Sequence, residues 1–178
     1  EITEGDWSSD VCSSDLMSHP PGDSLVPVQL ITAIDDTVAL LGEEARMRQV
    51  EFRFEHSGHA IWIQGDNAEL RQVFVNLLHN AMHAMTQGGA VSIEIETSNA
   101  SVVVIRVADT GVGIPPENLS RIFLPFFSRR ADGQAGMGLG LAVCKSIVDR
   151  CGGTIAVASE LGKNTVFTIT LPLALGVS

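Results

Sequence analysis

The spacing of hydrophobic residues changes along the chain, and each change marks the boundary of a predicted element. Apolar residues three and four positions apart predict helices over residues 29–48, 66–86 and 139–151. Alternating or short continuous apolar runs predict strands over residues 49–55, 60–64, 91–97, 101–108, 154–159 and 165–171. The loop at roughly 110–138 is rich in glycine and proline, with one helical turn predicted near 118–123.

The order of these elements predicts the fold class. One helix and two strands are followed by a helix, a hairpin, a long loop, a helix and two final strands. This order favours an α/β two-layer sandwich, in which a mixed, mostly antiparallel sheet is covered on one face by helices. Asp66 is a suitable N-cap for the second helix, and residues 98–100 are a suitable hairpin turn. We expect a single domain over residues 27–174 and a short tail at 175–178.

Residues 1–26 differ from the rest of the chain. They are polar, turn-rich and without hydrophobic periodicity, which predicts a disordered tail. The stretch DWSSDVCSSDL at 6–16 resembles the translation of a common sequencing adaptor, and an ordinary linker is the alternative. Neither interpretation places a functional site here. On the adaptor interpretation, the natural protein continued upstream and this chain is its C-terminal fragment.

Charge and composition exclude several function classes. The chain has 21 acidic residues and 11 Lys or Arg residues, an acidic excess that argues against nucleic-acid binding. The excess is concentrated in residues 1–26, which contain no Lys or Arg, and the charge of the nearly balanced remainder says little about partners. No apolar run approaches the ~18 residues that cross a bilayer, and no signal peptide opens the chain. Three cysteines form no disulfide framework, so we expect a cytoplasmic chain with Cys144 and Cys151 as buried thiols.

One stripe of the helix predicted over 66–86 is polar without being charged. An ordinary solvent-facing stripe carries Lys and Glu. Amide oxygens can coordinate a hard cation and amide NH₂ groups can donate to phosphate, so the stripe suits a wall that contacts oxygen ligands. An exposed helix edge with capping amides is the alternative. The stripe comprises Gln72, Asn76, Asn80, His83 and Gln87.

Two glycine clusters lie at the ends of the long loop. DTGVGI at 109–114 follows a buried strand, so its carboxylate can accept a hydrogen bond from an exocyclic amine while its glycines permit close backbone approach. GMGLGL at 136–141 leads into a helix, whose free N–H groups suit a phosphate. Either cluster alone is equally compatible with a structural turn. The second lacks the Gly-Lys-Ser/Thr of a P-loop.

Taken in order, the motifs are far more specific than any one alone. The chain contains NLLHNA at 76–81, DTGVGI at 109–114, IFLPFF at 122–127, GMGLGL at 136–141 and GKNTVF at 162–167. This succession closely resembles the ATP-binding catalytic domain of two-component sensor histidine kinases, over residues 27–173. The resemblance implies the Bergerat-type fold shared with gyrase, Hsp90 and MutL, and it implies ATP and Mg²⁺ as cofactors.

The resemblance also implies roles for individual residues. Asn80 matches the magnesium-binding asparagine, and Asn76 lies one turn before it as a second metal candidate. The residues implied to surround the adenine are Asp109, which binds its amine, with Gly111, Gly113, Ile114 and Thr165. Those implied to contact the phosphates are His83, Arg130, Gly136, Gly138, Leu139 and Gly140, with Met137 in place of the common Thr or Ser. Phe123, Phe126 and Phe127 match the aromatic box that anchors a lid over residues 128–135.

The implied reaction is transfer of the γ-phosphoryl group of MgATP to a histidine on a dimerisation hairpin, with a response regulator as the next partner. His19 lies in a Pro-rich stretch, and His56 and His59 flank a turn, so we expect the acceptor hairpin to lie outside this chain. Without the hairpin, the fragment is expected to be monomeric and inactive in autophosphorylation.

The residue at position 76 helps to distinguish a histidine kinase from other enzymes with the same fold. ATPase and serine-kinase relatives typically have Glu four residues before the magnesium asparagine, where it serves as a base. Asn76 cannot accept a proton at ordinary pH, so we predict a poor ATPase. A nucleotide-binding regulatory module without transfer activity is the first alternative. A same-fold ATPase or serine kinase is the second, and Asn76 disfavours it.

Overall fold

The computed structural model describes residues 25–56, 58–98, 101–127 and 138–174. The strands in these ranges are β1 (Val26–Gln29), β2 (Val50–Phe54), β3 (Trp62–Gly65), β4 (Gly89–Ser98), β5 (Val102–Asp109), β6 (Thr154–Glu160) and β7 (Asn164–Pro172). The helices are α1 (Leu30–Met47), α2 (Asn67–Ala84), α3 (Pro116–Leu119) and α4 (Gly140–Arg150).

The main sheet contains five strands in the order β2-β4-β5-β7-β6. β2 runs parallel to β4, and the other neighbouring strands are antiparallel. The parallel pair arises because β3 and α2 lie between β2 and β4 in the chain and form the crossover that parallel strands require. The predicted mixed, mostly antiparallel sheet is confirmed, as is the predicted β4–β5 hairpin.

Helices cover one face of this sheet. Along β5, the buried residues Val103, Ile105 and Val107 alternate with partly exposed ones, as expected for a strand with one face in the core. α2 lies in the middle of the helical layer and packs against both α1 and α4. The predicted two-layer sandwich is therefore confirmed.

α2 begins where its sequence signal predicts. The Asp66 side chain accepts a hydrogen bond from the amide of Glu69 at 3.0 Å, as an N-cap does. The buried face of the helix then inserts Leu70, Phe74 and Leu77 into the core. The helix ends at Ala84, two residues before the predicted end.

β1 was not among the predicted strands. It pairs antiparallel with β3, and β3 in turn contacts the segment after β7 through the amide of Ala174, which donates to the carbonyl of Trp62 at 2.7 Å. Four residues that include Pro27 carry too little alternation to indicate a strand. Their partners lie far along the chain, so the strand depends on tertiary contacts.

The helical turn predicted near 118–123 lies earlier, as α3 at Pro116–Leu119. Proline at the start of a helix supplies the helical φ and needs no hydrogen bond, which explains the earlier start. Successive three-residue turns then continue to Phe127, whose amide donates to the carbonyl of Leu124 at 3.3 Å. This spiral connects the loop after β5 to residues 126–127.

Cys144 and Cys151 are both buried and free, as predicted. Burial raises the pKa of the Cys144 thiol to about 12, so the thiol stays protonated at neutral pH. Among the helices that the structure describes, none combines the length and the apolar composition needed to cross a membrane.

Candidate functional site

Asp109 and Thr165 are buried polar residues that lie side by side. Asp109 is the last residue of β5, and Thr165 is its cross-strand partner on β7. Both continue the alternation of the buried residues Val107 and Phe167, so their side chains lie on the helix-covered face. Asp109 is 5% exposed and Thr165 is 3% exposed. A carboxylate in such a place loses hydration, which marks it as a candidate functional group.

Backbone amides stabilise the carboxylate of Asp109. The amide of Gly111 donates to Oδ1 of Asp109 at 2.8 Å, and the amide of Thr165 also hydrogen-bonds to this carboxylate. Burial nevertheless raises the pKa of Asp109 to about 6, because the cost of desolvation exceeds the effect of the two amides. At neutral pH the group is ionised and can only accept hydrogen bonds.

The raised pKa makes the stability of the protein depend on pH. Because the pKa rises from 3.8 to about 6 on folding, the folded state holds the Asp109 proton more tightly than the unfolded state does. The resulting stabilisation is complete below about pH 4 and is lost as the pH rises through about 6. We expect the unfolding free energy of wild type, relative to that of Asp109→Asn, to fall by about 2–3 kcal/mol from acidic to neutral pH. Urea unfolding of both proteins across this range measures the difference.

The matched control is Asp149→Asn, which removes an exposed carboxylate on α4 that is paired with Lys145 at 3.0 Å. The unfolding free energy of wild type, relative to that of Asp149→Asn, should not fall in this way from acidic to neutral pH. A constant difference between wild type and Asp109→Asn over the whole range would contradict the raised pKa.

The loop after β5 lies against the end of α2. The amide of Val112 donates to the carbonyl of Ala84 at 3.0 Å. Gly111 lies so close to this helix that an added Cβ would be 2.7 Å from Cβ of Ala84. Glycine is therefore required at this position by the close approach of the loop to α2.

The other side of the same loop contacts the turn between β6 and β7. The amide of Gly162 donates to the carbonyl of Val112 at 2.7 Å. Gly113 has a φ of 72°, and a Cβ there would collide with the carbonyl of Glu160. We call this arrangement, in which residues 159–162 contact residues 112–114, the loop clasp.

Ser159 belongs to the loop clasp and was not among the predicted site residues. Its Oγ accepts from the amide of Ile114 at 2.8 Å, donates to the carbonyl of Asn164 at 2.6 Å and lies 3.0 Å from Oγ1 of Thr165. The only signal in the sequence is a hydroxyl residue at an inward-facing position of β6, after Ile155 and Val157. Such a signal is weak without the register of the sheet.

Asn76 joins α2 to the start of α4. Its Nδ2 donates to the carbonyl of Gly140 at 3.2 Å, and its side chain also hydrogen-bonds to the Cys144 thiol. With the amide nitrogen engaged, the amide oxygen is the atom that Asn76 can offer to a cation. The metal role of Asn76 remains a prediction.

Asn80 and His83 follow Asn76 along α2. Asn80 is exposed, whereas His83 is partly buried, with Nδ1 2.6 Å from the carbonyl of His79. A carbonyl can only accept, so Nδ1 carries a proton and Nε2 is the nitrogen left for a ligand. His83 can therefore donate to an anion through Nε2 only when the imidazole is positively charged. His79 itself pairs with Glu44 of α1 at 3.2 Å.

The start of α4 is electrostatically suited to an anion. Leu139 is the N-cap residue, no side chain among the described residues caps the helix, and its first turn contains no acidic residue. Amides of a first helical turn have no acceptor within the helix and lie at the positive end of its dipole. Gly138 has a φ of 65°, and a Cβ there would be 2.6 Å from the carbonyl carbon of Phe126. Glycine at 138 thus lets the chain pass close to residues 126–127 before the helix begins.

The predicted aromatic residues have different environments. Phe123 packs edge-on against Phe167 of β7, with ring centroids 6.4 Å apart. The Arg121 guanidinium lies over the ring of Phe127, 5.0 Å from its centroid. Phe126 is 80% exposed and has a positive φ of 62°, which is unfavourable for a bulky residue.

α2 connects the two parts of the candidate site. Its last residue contacts the loop after β5, and Asn76 contacts the start of α4, about 12 Å away along the helix axis. Asn80 and His83 lie between these two contacts. Arg130, Gly136 and the lid predicted over 128–135 fall outside the described residues, as does the tail at 1–24, and their roles remain predictions.

The described side chains suit a Mg²⁺ ion that is coordinated mainly by a bound phosphate compound and by water. No group of three or more His, Cys, Asp or Glu residues in the described ranges forms a metal site. Mg²⁺ commonly binds through one or two protein oxygens together with phosphate oxygens and water. One or two amide oxygens on α2 are compatible with that coordination.

Comparison with known proteins gives this arrangement a family context. The family model for histidine kinase-, DNA gyrase B-, and HSP90-like ATPases matches residues 65–175. The sensor histidine kinase ZraS of Salmonella typhimurium is 41% identical over 150 residues, which cover 84% of this chain and 32% of ZraS. The chain thus spans about a third of the length of ZraS and of sporulation kinase C of Bacillus subtilis.

Solved structures agree with the fold. The nucleotide-free catalytic domain of histidine kinase ThkA has a TM-score of 0.74 and 28% identity, covering 84% of this chain and 98% of that domain. Full-length ShkA in complex with AMPPNP has a TM-score of 0.74 and 30% identity, covering 87% of this chain and 32% of ShkA. ThkA in complex with the response regulator TrrA has a TM-score of 0.70 and 27% identity, over 84% of this chain and 42% of ThkA.

Proposed function

Since the chain belongs to the family of histidine kinase-, DNA gyrase B- and HSP90-like ATPases, we propose that it is the ATP-binding catalytic domain of a two-component sensor histidine kinase. It binds MgATP and supplies the γ-phosphoryl group to a histidine on a dimerisation hairpin. A response regulator then receives the group. The observation that carries this proposal is the buried Asp109 carboxylate at the end of β5, which accepts hydrogen bonds from backbone amides.

Asp109 supports recognition of adenine. As an ionised acceptor in a site of low exposure, it forms a strong hydrogen bond with the 6-amino group of the base. Gly111 lets the loop beside Asp109 pack closely against α2, and Gly113 lets it pack closely within the loop clasp.

The phosphates belong at the start of α4, where the first-turn amides and the helix dipole favour negative charge. The amide oxygen of Asn80 would hold Mg²⁺ together with phosphate oxygens, with Asn76 as the second candidate ligand. When bound, Mg²⁺ neutralises the charge that develops on the transferring phosphoryl group. His83 adds a donor through Nε2 when it is protonated.

Asn76 favours phosphoryl transfer to an external histidine over hydrolysis. Phosphoryl transfer depends mainly on positioning and charge neutralisation, which Asp109, Asn80 and the start of α4 supply. An amide at position 76 cannot remove a proton from water or from a serine hydroxyl. A histidine nitrogen that is already unprotonated needs no such base.

Solved complexes of two similar proteins support the proposed binding partners. ShkA was solved with AMPPNP, and ThkA was solved with the response regulator TrrA. We extend both kinds of partner to this chain. A cytoplasmic location is part of the proposal, because the described cysteines are free thiols, as is usual in a reducing compartment.

The proposal is tested with ATP labelled at the γ-phosphate. We expect the purified chain, given Mg²⁺ and a dimerisation hairpin from a related sensor kinase, to transfer label to the hairpin as acid-labile phosphohistidine. Without the hairpin we expect very slow release of inorganic phosphate, because Asn76 provides no base. Gel autoradiography before and after acid treatment measures the transfer, and a phosphate-release assay measures the hydrolysis.

Asn80→Ala should abolish the transfer, whereas Asn67→Ala, which removes an exposed amide from the first turn of the same helix, should not. Brisk hydrolysis that Asn80→Ala abolishes would identify an ATPase instead. ATP binding with no transfer to any hairpin would favour the regulatory module.

A further inference from the structure

Ser159 lies at the junction of three backbone segments. It is on β6, opposite Thr165 of β7, and its hydroxyl also contacts the backbone at Ile114 and Asn164. One hydroxyl group therefore connects the loop after β5, the β6–β7 turn and the buried threonine beside Asp109.

The number of available protons fixes the donor and the acceptor in each hydrogen bond of the Ser159 and Thr165 hydroxyls. Ser159 has one proton, and the carbonyl of Asn164, 2.6 Å away, can only accept, so that proton lies in this bond. The amide of Ile114 donates to Ser159 at 2.8 Å. The remaining contact is the 3.0 Å pair between Oγ of Ser159 and Oγ1 of Thr165. Because Ser159 has no second proton, Thr165 must be the donor.

This direction leaves Thr165 with lone pairs and no free proton. The neighbouring Asp109 carboxylate is also an acceptor, and the amides of Gly111 and Thr165 are already directed at that carboxylate. The end of β5 and its β7 partner therefore present acceptors to a ligand. A ligand edge with an amine satisfies them, whereas an edge with a carbonyl oxygen would place acceptor against acceptor, which is costly in a buried site.

We propose that Ser159 is a positioning residue that determines base specificity. By accepting the hydrogen bond from the Thr165 hydroxyl, Ser159 makes this end of the site favour 6-aminopurine nucleotides over 6-oxopurine nucleotides. The inference rests on the proposed binding of ATP, and it goes beyond that proposal by assigning base discrimination to a residue that does not itself contact the base.

The test compares the dissociation constants of ATP and ITP, which carry an amine and an oxo group at position 6, by calorimetry in the presence of Mg²⁺. Ser159→Ala frees the Thr165 hydroxyl to rotate and donate to the oxo group. We expect this variant to narrow the ratio of ATP affinity to ITP affinity by about fivefold, the effect of one hydrogen bond. Ser159→Thr retains the hydroxyl and should keep the wild-type ratio.

A purely structural role predicts a different result. If Ser159 only held the loop clasp together, Ser159→Ala would weaken both nucleotides by the same factor and leave the ratio unchanged, which would overturn the inference. Thr165→Val gives a second measurement if Ser159→Ala does not fold. It removes the acceptor lone pairs of Thr165 with little change of shape, so it should also narrow the ratio of ATP affinity to ITP affinity, and an unchanged ratio would again overturn the inference.

The two levels of the proposal fail differently. A wild-type protein that binds neither nucleotide refutes the proposed function and this inference with it. A wild-type protein that prefers ATP, with the same preference in the alanine or valine variant, refutes only the role of Ser159.

Discussion

Asp109→Asn is expected to weaken the affinity of the protein for ATP by about 10- to 100-fold. A hydrogen bond to a charged group contributes about 1.5–3 kcal/mol, and the variant loses that charge. The asparagine amide also has a donor side. Since the amide of Gly111 donates to Oδ1 at 2.8 Å, the variant keeps its oxygen there and turns its NH₂ group toward the ligand amine. Isothermal titration calorimetry at neutral pH, with Mg²⁺ present, measures the change.

The same loss should appear with ADP and with adenosine, because Asp109 acts on the base and not on the phosphates. Asp149→Asn, which removes an exposed carboxylate on α4, should leave all three affinities unchanged. Unchanged ATP affinity in a folded Asp109→Asn protein would remove Asp109 from the base subsite and, with it, the main support for the proposed function.

Gly113→Ala is expected to lower the unfolding free energy by about 3 kcal/mol. Two costs combine at this position. A non-glycine residue at a φ of 72° costs about 1 kcal/mol or more. The added Cβ would also lie 2.9 Å from Cα of Leu161 and would collide with the Glu160 carbonyl, and such overpacking costs about 1–3 kcal/mol. Urea unfolding of both proteins measures the loss.

Gly162→Ala separates the two costs. Gly162 lies in the same loop clasp at a φ of 82°, but nothing lies within 4 Å of an added Cβ. This variant should show only the backbone term, about 1 kcal/mol. Equal losses in the two variants would mean that the β6–β7 turn moves aside freely, and that the close packing around Gly113 adds no stability.

Local signals were sufficient for several elements and for the family. The Asp66 cap and the helical spacing after it predicted α2, because a cap bonds only three residues ahead. The β4–β5 hairpin was predicted from two apolar runs joined by a short turn. The ordered motifs predicted the family, which the match over residues 65–175 confirms. The family resemblance indicates a role for Asp109, whose glycine cluster alone is equally compatible with a structural turn.

Other features depended on partners far along the chain. β2 pairs with β4 in parallel and β1 pairs with β3, but the hydrophobic pattern of each strand does not indicate which strand it pairs with. The role of Ser159 depends on the sheet register that sets it opposite Thr165 and within reach of Ile114.

The sequence by itself determined the helices, the hairpin and the set of candidate ligand-binding groups, since periodicity, capping and turn chemistry act over a few residues. Only the tertiary structure decided the donor and the acceptor in the contact between Ser159 and Thr165, and which glycines are needed for close backbone approach. It also decided that burial raises the pKa of Asp109 to about 6. These properties arise from desolvation and contact between segments distant in sequence, and no local pattern encodes them.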